Sequence, residues 1–176
     1  NTKFASLLLS ALITTVAIVA LSQTSESEYF QQGNIHLEED NLQQAIESYT
    51  QAIEVNPDLN EAYNNRGFAY DEQGKLDQAI QDYTQAIKIN SDYAKAYLNR
   101  GFAYDRQGKL DKAIQDFNQV IEINPNNAKA YNNRGNAYRQ QGNFRQAIQD
   151  LNQAIELNPN LAEAYYNRGL AYGEQG

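Results

Sequence analysis

From Glu26 onward, apolar and small residues recur at three- and four-residue spacing, in blocks separated by polar breaks. In Asn60–Gly74 the stripe is Ala62, Tyr63, Phe68, Ala69 and Tyr70. In the block after it the stripe is Ala79, Ile80, Tyr83, Ala86, Ile87 and Ile89. Both stripes have the period of an amphipathic helix, so the pattern predicts two helices in succession. Gly74 stands where a helix C-terminus favours a left-handed residue, and Asp77 where the next helix favours an acid. The second helix stops at Asn-Pro (Pro57, Pro125, Pro159) or at Asn90-Ser91. Pro cannot continue a helix and pushes its predecessor out of the helical region. Gly67 and Ala79 are small where two antiparallel helices must approach closely.

The two-helix phrase Asn60–Tyr93 recurs as Ala94–Asn127 and Ala128–Leu161. A degenerate copy precedes it (Glu26–Leu59), and a half copy follows (Ala162–Gly176). A fixed period of 34 residues marks stacked supersecondary units, each too small to bury its own apolar face. The predicted fold class is all-α, a right-handed superhelical solenoid of antiparallel helix pairs over residues 26–176.

Ahead of the array, Lys3 precedes the uncharged run Phe4–Leu21 and then polar SQTSESE. Residues 1–25 are read as a secretory signal or a membrane anchor, with Ala20-Leu21-Ser22 offering cleavage before Gln23. An exported or membrane-attached protein of the periplasm or cell envelope is expected, touching the membrane only through this segment. The chain has no Met and stops half-way through a unit, so it reads as a fragment of a longer protein.

Composition then removes several function classes. A net charge of −8 argues against nucleic-acid binding, which needs clustered cations to displace counterions. There is no Cys, and His36 is the only His, so no His-based triad or Cys/His zinc site can be assembled. No phosphate-binding loop is present, and acid runs such as Glu38-Glu39-Asp40 read as a solvated face. No enzyme, cofactor or metal is expected. Of the 13 Tyr, 11 occupy recurring aromatic slots of the period and read as core.

The pattern aromatic-x3-Gly-x2-Tyr, then Ala-x3-aromatic, then Pro, at this period, resembles the tetratricopeptide repeat. Tyr29, Tyr63, Tyr97, Tyr131 and Tyr165 hold that family's Trp slot. Gly33, Gly67, Gly101, Gly135 and Gly169 hold its Gly slot, and Ala45, Ala79, Ala113 and Ala147 its Ala slot. Val120 replaces a usual Ala, Ser91 a usual Pro and His36 a usual Tyr. The N-R-G wording is similar to tandem repeats of bacterial, especially cyanobacterial-type, proteins.

One departure recurs. The residue before Gly is usually Leu in that family, but here it is Arg66, Arg100, Arg134 and Arg168. Sixteen residues after the first three stand Asp82, Asp116 and Asp150, while the first unit has Gln32 and Ser48 in these slots. The two changes travel together, so an Arg–Asp bond between paired helices is expected, as a buried guanidinium requires.

The resemblance also implies a concave groove lined by the first helices, able to hold an extended peptide. Its residues correspond to Asn64, Asn65, Phe68, Asp71 and Glu72 in the second unit. In the third they are Lys95, Leu98, Asn99, Phe102, Asp105 and Arg106, and in the fourth Lys129, Asn132, Asn133, Asn136, Arg139 and Gln140. The ladder Asn65, Asn99, Asn133 and Asn167 can donate to and accept from a peptide backbone. Lys95, Arg106, Lys129 and Arg139 make the groove positive over 94–161 and suited to an acidic segment, whereas Glu61, Asp71 and Glu72 make its other end negative. The family's chaperone-tail clamp also needs a Lys one residue before the ladder Asn. Phe30, Asn64, Leu98, Asn132 and Tyr166 stand there instead, and only Lys95 and Lys129 match the clamp.

The expected function is a protein-interaction scaffold that holds a protein or peptide segment through Asn65, Phe68, Lys95, Asn99, Phe102, Arg106, Lys129, Asn133, Asn136 and Arg139. Two alternatives stand beside it: a self-assembling structural array, or the recognition arm of a longer enzyme. The unpaired half unit exposes Tyr165, Leu170 and Tyr172, which favours stacking on another copy as a homo-oligomer.

Overall fold

The computed structural model describes residues 25–176, and the expected signal or anchor segment lies outside them apart from residue 25. The described residues form helices joined by short turns: α1 (25–38), α2 (Leu42–Val55), α3 (Asn60–Glu72), α4 (Leu76–Ile89), α5 (Ala94–Arg106), α6 (Leu110–Ile123), α7 (Ala128–Gln140), α8 (Phe144–Leu157) and α9 (Ala162–Gln175). No strand occurs among the described residues, and no helix there is long and apolar enough to cross a membrane.

Each turn type has its own local cause. Within a unit, Gly74, Gly108 and Gly142 adopt φ of +75°, +70° and +78°, and Asp40 takes the same left-handed conformation at φ 60° in the first unit. The turn is closed by Gly74 N–H on Asp71 (2.8 Å) and Lys75 N–H on Tyr70 (2.9 Å), which satisfy carbonyls the helix end would leave bare. Between units the break falls at Asn-Pro and Asn90-Ser91 as read from the sequence, and the Asn side chain closes each turn. The Asn56 side chain accepts from the Asp58 N–H at 3.0 Å. Asn90, Asn124 and Asn158 repeat this bond to Asp92, Asn126 and Asn160 at 3.1–3.2 Å. Ser91 therefore replaces Pro without changing the turn, because the Asx turn needs only the amide.

Helices pair within units by a small-against-large fit. Ala45, Ala79, Ala113 and Ala147 are fully buried, as are Tyr49, Tyr83, Phe117 and Leu151 one turn later. A Cβ on Gly101 would lie 2.6 Å from the Phe117 ring and one on Gly67 2.9 Å from the Tyr83 ring, so glycine is the residue that lets the helices close. Of the tyrosines, however, only Tyr49 and Tyr83 are buried in the core. Tyr63, Tyr97 and Tyr131 are half-buried, because one face of each ring carries a guanidinium at 5.4–5.6 Å.

Across units, each second helix packs on the first helix that follows it. First helices also touch one another (α3 with α5, α5 with α7, α7 with α9), while the second helices do not. The stack therefore curves with α3, α5, α7 and α9 on the inside.

Candidate functional site: the inner face

The expected Arg–Asp pairs are present. Arg66 donates Nε–H and Nη2–H to the two Asp82 oxygens, both at 2.8 Å. Arg100 does the same to Asp116 at 2.8 and 2.7 Å, and Arg134 to Asp150, both at 2.7 Å. Burial works against each of these guanidinium charges, but the carboxylate hydrogen bonds and charge outweigh it and raise all three arginines above their ordinary pKa. A third arm was missed from sequence. Nη1–H of Arg66, Arg100 and Arg134 reaches back one unit to Thr50, Thr84 and Asn118, at 3.0, 3.0 and 2.6 Å. Each arginine thus ties its own helix pair to the preceding one. The recurrent Thr50/Thr84/Asn118/Asn152 slot was the available signal.

On the inside of the curve, Phe68 is 39 % exposed and Phe102 36 % exposed. Phe102 meets the buried Phe117 edge-on at 5.9 Å, so its inner edge is anchored while its outer face stays open. Lys95 and Lys129 are exposed and have no ion-pair partner among the described residues. Lys129, Leu98, Asn99, Phe102, Asn133 and Glu163 line an open cavity of ≈ 460 Å³.

Several expected groove residues are engaged between units. Asn64 and Asn132 are buried, Asn64 completely, and are not free surface. Asn99 donates to Asn64 and Asn167 to Asn132, each at 3.0 Å, while Asn65 donates to Asn34 at 3.1 Å. Arg106 is ion-paired with Asp71, and Arg139 with Glu174 at 2.6 Å. Asn136 accepts from Arg139 at 3.0 and 3.3 Å. The positive character expected over 94–161 thus falls mainly to Lys95 and Lys129. Burial raises the Asp71 carboxyl above its ordinary pKa against the pull of Arg106. It raises Asp105 likewise, although Gln140 donates to that carboxylate at 2.9 Å.

A TPR repeat model matches residues 29–74, 70–108 and 135–176, and two tetratricopeptide repeat models match 94–127 and 117–149. The chain belongs to the tetratricopeptide repeat family. No curated protein sequence matches it. Among solved structures the array is similar to MamA, with 25% identity over 86% of this chain and 83% of that one and a TM-score of 0.80. It is also similar to a tetratricopeptide repeat protein from Parabacteroides merdae, with 26% identity, 87% and 61% coverage and a TM-score of 0.79. The first such domain of Spaghetti (RPAP3), bound to the HSP90 peptide SRMEEVD, shares 30% identity over 65% of this chain and 90% of that one, with a TM-score of 0.63. The tetratricopeptide array here is a protein-interaction repeat module in fold.

Proposed function

We propose that the array is a non-enzymatic scaffold whose inner face holds an extended segment of a partner protein, with Lys95 and Lys129 drawing in acidic side chains. The observation that carries this reading is the juxtaposition of open aromatic faces, Phe68 and Phe102, with unpaired lysines on the inside of the curve. A fold of this kind gains affinity by laying a partner along several units. The peptide held by the RPAP3 domain supports the general mode. The lysine slot one residue before the ladder Asn is filled here by other residue types, so a different sequence preference is expected. The ladder amides serve mainly to join the units, and direct contact falls to Phe68, Lys95, Phe102, Lys129 and Asn133.

The apolar run Phe4–Leu21 supports export or membrane attachment, so the partner is sought in the cell envelope. The test immobilises the chain as wild type and as Lys95→Glu with Lys129→Glu, and exposes both to envelope extract. A partner retained only by the wild type supports inner-face binding. Capture of the same proteins by both forms contradicts it.

A further inference from the structure

The inner-face contacts between units run 35 residues apart, and they form a ladder of amides. Asn99 donates to Asn64 and Asn167 to Asn132 at this offset. Asn65 would reach Phe30 at the same offset and turns to Asn34 instead. Asn133 is the exception. Its offset partner is Leu98, which accepts nothing, and its other neighbour at the Asn34 slot is Phe102, which also accepts nothing. Asn133 accepts from Asn132 at 3.1 Å, but its own NH₂ has no partner among the described residues. The missing rung coincides with the cavity lined by Leu98, Phe102, Lys129 and Asn133.

From this gap we infer that the α5/α7 seam is a selective subsite for a peptide bearing one aliphatic or aromatic side chain next to a carboxylate. The inference rests on the inner-face reading above and names its specificity. Leu98, Phe102 and Leu161 supply apolar walls to it, Phe102 braced on Phe117 and Leu161 on the core between α8 and α9. Asn133 and Lys129 both offer donors and no competing acceptor pairs with either, so the complementary group is a carbonyl or carboxylate oxygen. Glu163, also on the lining, repels a second acid on its side and sets which way the carboxylate lies. At the α3/α5 seam Lys95 is likewise unpaired, but Asn99 closes the rung on Asn64, which stands where Leu98 stands here, so that seam lacks both the free amide and this apolar wall. A hollow around the Arg66–Asp82 pair carries no such inference, because the charges lining it already satisfy each other.

The substitution Leu98→Asn closes the site in a way the fold already tolerates, since Asn64 and Asn132 occupy that slot in neighbouring units. It removes the apolar wall and gives Asn133 an acceptor. The experiment titrates the ¹⁵N-labelled full chain with acetyl-Ser-Gly-Leu-Glu-Gly-Ser-amide and follows the Asn133 side-chain amide and the inner-face backbone signals. Saturating shifts at Asn133 and Leu98 are expected. The peptide should bind at least about tenfold more weakly to Leu98→Asn and several-fold more weakly to Lys129→Gln, with melting temperatures unchanged. The same peptide with Ala-Gln in place of Leu-Glu should leave Asn133 unmoved. Shifts confined to Phe68, Asn65 and Lys95, or binding indifferent to both variants, would overturn the subsite while leaving inner-face binding intact. No inner-face shift at about 5 mM peptide would overturn both. If Leu98→Asn fails to fold, Lys129→Gln alone decides.

Discussion

The seam inside each helix pair and the inner face between units are written in the same 34-residue phrase, yet they use it in opposite ways. Inside the pair, every interior unit repeats one solution: glycine against a large side chain sixteen residues on, and Arg forked onto Asp. On the inner face the residue three before that glycine runs Phe30, Asn64, Leu98, Asn132, Tyr166, and the residue after it Asn34, Phe68, Phe102, Asn136, Leu170. Repetition within one chain marks what stacking requires. Variation along the inner face, where Phe68, Phe102 and Tyr166 stay exposed while Asn64 and Asn132 are buried, marks where a partner can be distinguished.

The contrast breaks most severely if the seam is filled. Gly101→Leu forces a side chain where the Phe117 ring already lies 2.6 Å from a bare Cβ, and should cost more than about 3 kcal/mol in urea unfolding. Next comes Arg100→Leu with Asp116 retained. It leaves a buried carboxylate unpaired and cuts the tie to Thr84, for a loss of about 3 kcal/mol. The contrast is sharpened by the double change Arg100→Gln with Asp116→Ser, which copies Gln32 and Ser48 of the first unit. It should recover much of that loss, because no uncompensated charge stays behind. On the inner face, Phe102→Ala gives up one edge-on ring contact, worth about 1 kcal/mol, but should weaken partner capture far more than it shifts the melting temperature.

The smallest effect concerns pH. Burial raises the Asp105 pKa in the folded state, so ionisation is penalised by folding. That penalty is absent below the ordinary carboxylate pKa, where Asp105 is protonated in both states, and is complete above the raised value. Asp105→Asn keeps an acceptor for Gln140 and removes the penalty. It should raise the melting temperature at pH 7 by no more than about 2 °C, with no gain at pH 3. A gain of equal size at both pH values would show that ionisation is not the cause.

The stacking units, the close-approach glycines and the Arg–Asp fork were legible because each sits at a fixed spacing inside one unit. The fork was visible because Arg and Asp are both absent from the first unit, at Gln32 and Ser48. The inner face was less legible for a geometric reason. Reading unit against unit aligns residues 34 apart, whereas the inner-face bonds join residues 35 apart, as in Asn99–Asn64, Arg106–Asp71 and Arg139–Glu174. Slot-by-slot comparison therefore set out Arg106 and Arg139 as free cations and Asn64 as a surface amide. Shifting the comparison by one residue pairs the two arginines and isolates Lys95, Lys129 and Asn133. Likewise the tyrosines looked like core because their slots are regular, but a ring can hold a regular slot with one face under a guanidinium.

The most direct test of inner-face binding is a selection of random peptides on the chain, repeated on Lys95→Glu with Lys129→Glu. Both forms should melt at the same temperature, since neither lysine is paired. The wild type should enrich peptides that place an apolar residue beside an acid, and the charge-reversed form should lose them. Equal enrichment of the same peptides by both forms would contradict binding on the inner face.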